Sequence, residues 1–278
     1  MSAGTGLTLE EWAPRVPELV TTCRERWGLR LGEPYPRGAA GYAVRAAPPD
    51  GTRAVLKVIY PHRESEQEAD ALARWDGDGA VRLLARDDEL HALLLERCEP
   101  GTFLSERPAE EALGVLIGLL PRLWVDAEGF RPLQDEAAWW ESYLEREWEE
   151  AGRPYERRLV DAALDALRTL PRSQGEQVLV HQDLHGDNVL AAQREPWLVI
   201  DPKPLSGERE LAAAPVVRSL ELGETRRDVL YRLDRLSAEL GLDRERVRGW
   251  TIAQTLAWSG GSDLVPEHVE LVRRLVEA

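Results

Sequence analysis

Polar and titratable side chains are concentrated in one short loop, residues 181–188, which reads His-Gln-Asp-Leu-His-Gly-Asp-Asn. The loop lies between two apolar runs of the kind that form strands. Such a density of carboxylates, imidazoles and amides on a loop held by apolar strands is typical of a functional site on a stable scaffold. The alternative is a polar turn whose Asp and Asn side chains bind their own backbone.

A predicted hairpin directly after this loop favours the functional interpretation. Two four-residue apolar strands flank a turn at residues 193–196. If the strands pair about the centre of that turn, Asn188 lies opposite Asp201, beside Asp183. Oxygens from one carboxylate and one amide, completed by waters and phosphates, are the ligands that Mg²⁺ takes in phosphoryl-transfer sites. The sequence therefore predicts that these three side chains converge.

Lys57 is an independent indication of chemistry. It lies on a predicted strand whose two faces are otherwise apolar. A charge in such a setting needs a partner, and the following helix carries Glu64 and Glu68 on one stripe. We predict a pair between Lys57 and Glu68, because an acid in the first turn, such as Glu64, can serve the helix dipole alone. The alternative is an edge-strand lysine whose ammonium group extends to water.

The elements that must position these residues change character along the chain. The first part has predicted helices over residues 9–29 and 64–75 and strands over 41–47, 52–60, 81–85 and 90–95. After the breaker Glu99-Pro100-Gly101, helices are predicted over 105–124, 136–151, 155–170, 209–222, 225–240, 244–259 and 266–277, with a β patch at 177–180, 189–192 and 197–200. We expect an α+β fold of two lobes with a cleft near residue 98. The N-lobe is a small antiparallel sheet with its helices at residues 1–97, and the C-lobe is mostly helical at 98–278.

Composition narrows the class of protein. The 278 residues are 43% hydrophobic and carry a formal net charge of -15, with 50 acidic against 35 basic residues. This balance argues against a nucleic-acid scaffold, which needs a positive surface, and suits a cationic small partner.

Two cysteines cannot form a disulfide framework. There is no signal-peptide pattern at the start and no run of ~18 apolar residues, so we expect a soluble cytoplasmic protein without a membrane or nucleic-acid partner.

Lysine is rare among the basic residues. Only Lys57 and Lys203 are lysines, and the other 33 of the 35 are arginines. A bias of this kind can reflect genome composition alone. The two positions that keep lysine are nevertheless candidates for a chemical role, because a compact ammonium and a planar guanidinium are not interchangeable.

Taken together, these motifs resemble the aminoglycoside/hydroxyurea antibiotic resistance kinases, which share the protein-kinase-like fold. His181, Asp183 and Asn188 match the catalytic-loop pattern H-x-D-x-x-x-x-N, and Val55-Leu56-Lys57-Val58 resembles the lysine strand. Ile200-Asp201-Pro202-Lys203 stands where most kinases have Asp-Phe-Gly. The Leu-Leu-Leu-Glu-Arg run at 93–97 and the Pro-Gly at 100–101 narrow the resemblance to this family, which includes streptomycin phosphotransferases.

The resemblance implies an ATP- and Mg²⁺-dependent kinase with a defined set of site residues. Asp183 would accept or orient the attacking hydroxyl, and Asn188 and Asp201 would hold Mg²⁺. Lys57, aligned by Glu68, would hold the α- and β-phosphates. The remaining nucleotide contacts would come from backbone groups: those of Glu96 and Cys98 for adenine, and those of the loop with Gly38 and Gly41 for phosphates.

Two segments depart from the family pattern. The segment Arg37-Gly38-Ala39-Ala40-Gly41 lacks a full G-x-G-x-x-G. Ala212 stands near the position where the family has an aspartate, which would weaken the internal bracing of the lobe or mark an unusual substrate.

The acceptor is less well defined by sequence. An acidic chain complements a polycation, so we expect an aminoglycoside such as streptomycin. Hydroxyurea, an amino sugar, or a catalytically silent kinase-like binding protein are the alternatives. The candidate substrate residues are His185, Lys203, Trp250 and Gln254. Each also has a purely structural interpretation: a hydrogen-bonded histidine, a surface lysine and two core residues. Acidic residues at 141–150 form either a solvated helix face or a lining for polyamines.

Overall fold

A computed structural model describes residues 7–36, 41–259 and 264–278. The chain forms two compact units. The first comprises residues 1–102 together with 190–203, and the second comprises 103–189 together with 204–278. A single domain boundary between residues 97 and 98 stays a prediction, and the two units are described separately below.

The first unit is built on a five-stranded antiparallel sheet in the order β1-β2-β3-β5-β4. The strands are β1 (Arg30–Pro34), β2 (Gly41–Ala47), β3 (Ala54–Ile59), β4 (Leu83–Asp87) and β5 (Ala92–Glu96). The Pro48–Gly51 turn that joins β2 to β3 is closed by a hydrogen bond from the Gly51 N–H to the Pro48 carbonyl, as the Asp-Gly pair indicates. The predicted antiparallel sheet is thus confirmed, with β1 as a strand that alternation alone does not reveal.

Proline and serine shorten the predicted helices of this unit. The helix predicted over residues 9–29 divides into α1 (Leu9–Trp12), a 3₁₀ turn at Ala13–Arg15 and α2 (Val16–Arg26), because Pro14 lacks the N–H that a continuous helix needs. The predicted helix from residue 64 begins only at Glu68 and forms α3 (Glu68–Trp75). The Ser65 hydroxyl, which accepts from the His62 N–H and donates to the Tyr60 carbonyl, holds the preceding residues in a turn.

One apolar core lies under this sheet. It joins Trp12 and Cys23 of the N-terminal helices to Val44, Leu56 and Leu94 of the three central strands. These strand residues lie at alternate positions along their strands, as a half-buried sheet requires. The alternation that buries Leu56 and Val58 places Lys57 on the opposite face.

Residues 190–203 complete the first unit. Strands β7 (Val189–Ala191) and β8 (Trp197–Val199) form the predicted hairpin. The Ala192 N–H donates to the Pro196 carbonyl at 3.3 Å. The hairpin is anchored to the rest of the unit by a hydrogen bond from the Val81 N–H to the Val199 carbonyl. The pairing of Asn188 with Asp201 stays a prediction.

The second unit is mostly helical. Its helices are α4 (Ala109–Leu123), α5 (Leu133–Glu150), α6 (Arg157–Thr169), α7 (Arg209–Arg218), α8 (Arg226–Leu240), α9 (Arg244–Trp258) and α10 (Pro266–Val276). Strand β6 (Gln177–His181) pairs antiparallel with β9 (Pro204–Glu208). The strand β9 is absent from the sequence prediction, because a five-residue segment with Pro and Gly shows no clear alternation. None of the helices in the described ranges is long and apolar enough to cross a membrane.

Candidate active site

Lys57 sits between two carboxylates in the first unit. Its Nζ donates to both oxygens of Glu68, at 2.6 and 2.8 Å, and also to Oδ1 of Asp201. The Lys57 side chain is 15% exposed, whereas the Glu68 side chain is 2% exposed. The predicted Lys57–Glu68 pair is therefore present, although Glu68 is the first residue of α3 rather than a mid-helix residue. The edge-strand alternative is wrong, because β3 lies in the middle of its sheet.

The electrostatics of this group keep Lys57 charged. Burial alone lowers the pKa of Lys57, but the negative charges of Asp201 and Glu68 outweigh it and raise that pKa above its ordinary value. Burial raises the pKa of Glu68, against the opposing effect of the Lys57 charge, and the neighbouring Asp201 carboxylate adds to the increase. A fixed ammonium beside an exposed carboxylate can neutralise an anion and help to bind a cation.

Asp201 is held in an unusual backbone conformation. Its φ is 54°, in the left-handed region that few residues other than glycine adopt. Aspartate is one of the side chains that tolerate this region best, and such conformations are concentrated at functional sites. Half of the side-chain surface of Asp201 is exposed, at 50%, so its carboxylate is open to a ligand as well as to Lys57.

The second lysine lies beside the first pair. The Nζ of Lys203 is 3.6 Å from Oε2 of Glu64, and both side chains are about one-fifth exposed, at 23% and 21%. Both lysines of the chain therefore pair with glutamates four residues apart, Glu64 and Glu68. Burial lowers the pKa of the adjacent His62, with the Glu64 and Lys203 charges acting in opposite directions.

The predicted glycine loop is only partly described. Gly41 begins β2, where a Cβ would lie 3.3 Å from the Val58 carbonyl and 3.6 Å from Cε of Lys57. The absence of a side chain at Gly41 therefore keeps the space beside Lys57 open. Gly38 lies outside the described residues.

Glu96 and Cys98 lie where β5 ends. The Glu96 carboxylate is held by Arg194, whose Nε donates at 2.9 Å, and by the backbone N–H of Arg82 at 3.0 Å. Burial, followed by the Glu96 charge, raises the pKa of the Cys98 thiol to about 12. Cys98 is thus a neutral, buried side chain. Their predicted contacts with adenine use backbone groups and stay a prediction.

The loop 181–188 places Asp183 in a network of hydrogen bonds within the second unit. Its Oδ1 accepts from Nη2 of Arg218 at 3.0 Å, and its carbonyl accepts from Nδ2 of Asn188 at 2.8 Å. The Asp183 N–H in turn donates to Nδ1 of His181. Because the nitrogen of the Asn188 amide is committed to the loop backbone, its oxygen is the end that can meet a cation.

His185 has neighbours in its own loop and beyond it. Its Nδ1 accepts from the Asp187 N–H at 3.4 Å and lies 3.8 Å from Glu221, while its Nε2 lies 4.0 Å from Asp183. The carboxylate of Glu221 also accepts from the Gly186 N–H at 2.8 Å. These contacts fit the structural interpretation of His185, and its predicted contact with substrate stays untested.

Gly186 is required by close packing. A Cβ at this position would lie 2.7 Å from the backbone nitrogen of Ser105, a distance that atoms do not reach without movement. The Ser105 hydroxyl donates to Asp187 from the same side. The loop 181–188 thus packs closely against residues 104–106.

Trp250 and Gln254 are both buried on α9. The indole N–H of Trp250 donates to Glu208, and Nε2 of Gln254 donates to the Gln182 carbonyl at 2.8 Å. Trp250 thus contacts β9 and Gln254 contacts the loop backbone, and their contact with substrate stays a prediction.

Sequence reasoning missed two charged residues of this unit. Arg218 ends α7 and is 7% exposed, and Glu208 ends β9 and is fully buried. Glu208 accepts two hydrogen bonds from Arg246, at 2.7 and 3.0 Å, and one from Trp250. The apolar residues around Arg218 were the one available signal, since they mark a buried ion that needs a partner, whereas Glu208 has polar and charged neighbours.

The acidic residues of α5 are paired with arginines. Glu141 lies 2.6 Å from Arg168, Glu145 lies 2.6 Å from Arg157, and Glu149 lies 3.3 Å from Arg153. The pairs are exposed, as expected for a solvated helix face. This pairing supports the solvated face over a lining for polyamines.

The fold, together with the groups around Lys57 in the first unit and around Asp183 in the second, defines a class of protein. A five-stranded antiparallel sheet with a buried lysine–glutamate pair, and a helical unit with a His-x-Asp loop, are the parts of a kinase-like phosphotransferase. The sequence profile of the aminoglycoside/hydroxyurea antibiotic resistance kinases matches residues 26–262. The chain belongs to this family.

Similar proteins include two curated enzymes. A hydroxyurea phosphotransferase of Kitasatospora aureofaciens is 42% identical over 260 residues, covering 90% of this chain and 74% of that protein. A streptomycin 6-kinase of Streptomyces griseus is 39% identical over 253 residues, covering 88% and 82%. A thermostable mutant of the aminoglycoside phosphotransferase APH(4)-Ia, solved with ADP and hygromycin B, shares the fold with a TM-score of 0.60. It is 15% identical to this chain, with 92% and 97% of the two chains covered.

Proposed function

We propose that this kinase transfers the γ-phosphoryl group of ATP to a hydroxyl of an aminoglycoside, with streptomycin as the first candidate. The observation that carries the proposal is the Lys57 ammonium held between Glu68 and Asp201. Phosphoryl transfer needs positioning and charge neutralisation more than covalent chemistry. A lysine fixed by a buried carboxylate supplies a positive charge at a defined point.

The residues would share the work as follows. Lys57, aligned by Glu68, would hold the α- and β-phosphates. Asp183, fixed by Arg218, would accept the proton of the attacking hydroxyl or orient that hydroxyl. Backbone groups of Glu96 and Cys98 would bind the adenine ring. Because ATP is the donor and both cysteines are free, we expect the enzyme to act in the cytoplasm.

Mg²⁺ fits the oxygen donors that are present. The described residues contain no group of three or more His, Cys, Asp or Glu side chains that could form an all-protein metal cage. Mg²⁺ does not require one, since it binds through one or two protein oxygens together with waters and substrate phosphates. Asp201 offers a half-exposed carboxylate, and Asn188 offers an amide oxygen. The metal would neutralise the charge of the phosphates.

Charge supports a cationic acceptor. The net charge of -15 attracts polycations over distances of about a Debye length, ~8 Å at physiological salt. The 39% identical relative is a streptomycin 6-kinase, and streptomycin is polycationic. Both observations favour an aminoglycoside over a neutral acceptor.

Hydroxyurea is the second candidate, because the relative with 42% identity is a hydroxyurea phosphotransferase. Hydroxyurea is small and neutral, so its turnover should depend little on ionic strength. Turnover of a polycation should fall as salt screens the acidic surface.

A coupled assay of ADP release tests the function across streptomycin, other aminoglycosides, hydroxyurea and amino sugars. The variant Asp183→Asn keeps the shape of the side chain and removes its charge, so turnover should fall by at least about 100-fold, within the usual range for general-base catalysis. Mass spectrometry of the acceptor must show one added phosphoryl group. If no acceptor raises ADP release above the background, the chain is a kinase-like binding protein and the proposal is wrong.

The nucleotide half-site has its own test. Mg-ATP should raise the melting temperature by mass action, and Asp201→Ala should largely abolish the increase. The matched control is Asp165→Ala, which removes an exposed carboxylate that lies outside the site.

A further inference from the structure

Four side chains of α9 form a stripe that faces groups of its own unit. Arg246, Trp250, Gln254 and Trp258 follow one another at intervals of four residues, and residues four apart share a helix face. The first two bind Glu208. The last stacks its ring under Arg218, whose Cζ lies 4.6 Å from the ring centroid.

Gln254 connects this stripe to the loop 181–188. Its Nε2 donates to the Gln182 carbonyl at 2.8 Å, and its Oε1 accepts from Nη1 of Arg218 at 3.4 Å. Gln182 immediately precedes Asp183, and Arg218 also binds the Asp183 carboxylate at 3.0 Å. One amide therefore holds both the backbone before Asp183 and the cation paired with it.

The chemistry of the amide fixes its orientation. A carboxamide has donors at one end and an acceptor at the other, and both ends of Gln254 are used. If the amide were reversed, its oxygen would face the Gln182 carbonyl and its NH₂ would face the Arg218 guanidinium. Both contacts would then be repulsive.

The burial of Gln254 favours an indirect role for its amide. The residue is 1% exposed, so an acceptor could not reach the amide without movement of α9.

We propose that Gln254 is a positioning residue for phosphoryl transfer: it fixes the Asp183 carboxylate through the Gln182 carbonyl and Arg218. The expected change in kcat rests on the proposed function. The expected effect on the order of the loop 181–188 does not.

Three variants test the proposal. Gln254→Leu removes both hydrogen bonds at similar volume. Gln254→Glu keeps an acceptor for Arg218 but replaces the donor to Gln182 with an oxygen. The matched control is Thr255→Val, which removes a hydroxyl from the next, equally buried position of α9, where no partner for that hydroxyl exists among the described residues.

We expect both Gln254 variants to lower kcat by about tenfold, which corresponds to ~1.4 kcal/mol, because a misplaced carboxylate affects the reacting state. The KM for Mg-ATP should stay within about twofold of the wild-type value, since the nucleotide residues are untouched. Thr255→Val should retain wild-type kcat and KM. Loss of folded enzyme would also lower the apparent kcat at unchanged KM, so kcat is expressed per folded enzyme, with the folded fraction measured by circular dichroism.

Hydrogen–deuterium exchange supplies a readout that needs no substrate. Peptides that cover residues 181–189 should exchange faster in both Gln254 variants than in Thr255→Val, while peptides of β2 and β3 should be unchanged. If the wild-type enzyme phosphorylates no acceptor, the proposed function fails and the exchange result still decides the inference. If Gln254→Leu does not fold, Gln254→Glu decides it. Exchange and kcat equal to those of Thr255→Val would overturn the proposal.

Discussion

Replacement of Arg218 by methionine removes the positive charge that faces Asp183 and keeps a long side chain in the same space. The guanidinium lies 3.0 Å from Asp183, and the two side chains are 9% and 14% exposed. Hydrogen bonds to charged groups in such settings contribute about 1.5–3 kcal/mol. At ~1.4 kcal/mol per factor of ten, loss of this contact predicts a decrease in kcat of roughly 10- to 150-fold.

The same substitution should also destabilise the fold. The guanidinium stacks on the ring of Trp258, and a desolvated cation–π contact contributes up to about 2 kcal/mol. Urea denaturation should therefore show a lower free energy of unfolding for Arg218→Met. Arg218→Lys should recover part of kcat, because it keeps the charge, but not the stability due to the planar stack.

The measurement is steady-state kinetics with the acceptor that the wild-type enzyme turns over, together with urea denaturation. Arg158→Met is the control, because Arg158 is an exposed arginine whose partners, Glu156 and Glu277, lie on the surface. Its kcat should stay within about twofold of wild type, as for most surface substitutions. A folded Arg218→Met variant with wild-type kcat would refute the assigned role of the Arg218–Asp183 pair.

Three further substitutions follow from the structure. Glu208→Gln leaves Arg246, whose side chain is 19% exposed, without its countercharge, and should lower the free energy of unfolding by less than the ~3–5 kcal/mol of a fully buried pair; a urea midpoint equal to wild type would contradict this. Gly186→Ala forces a Cβ against Ser105 and should cost about 1–3 kcal/mol and reduce kcat, whereas Gly175→Ala, with no atom within 4 Å of the new Cβ, should do neither. Burial lowers the pKa of His268 from 6.5 to about 4. The unfolded chain therefore binds this proton first, so stability should fall as the pH drops from 6.5 towards 4, and His268→Gln should flatten that part of the stability–pH curve.

The first unit was largely predictable because its signals are local. Alternation identified β2 and β3, and the conflict between an apolar strand and a single lysine led to the Lys57–Glu68 pair. Helix boundaries were predicted less accurately where a side chain competes with the helix for backbone hydrogen bonds. The turn held by Ser65 delays the start of α3 to Glu68 in a way that hydrophobic spacing does not reveal.

The missed features of the second unit depend on distant pairing. β9 is a strand because β6 lies beside it, with Gln177 opposite Glu208, and its own sequence carries little β signal. Arg218 is one arginine among 33 and lies 35 positions from Asp183 in the chain. The apolar residues around it indicate burial, but nothing in its local sequence identifies Asp183 as its partner.

The scarcity of lysine has a consequence for covalent labelling. Lys57 and Lys203 are the only side chains with a primary amine, and both belong to the first unit next to Asp201. The neutral amine, and not the ammonium, attacks an acylating reagent, so Lys57, whose pKa is raised by two carboxylates, is a poor nucleophile. Any side-chain labelling by an amine-directed reagent would nevertheless be confined to this one region, because the chain has no other lysine. The ratio of label at the two positions would report how tightly each ammonium is held.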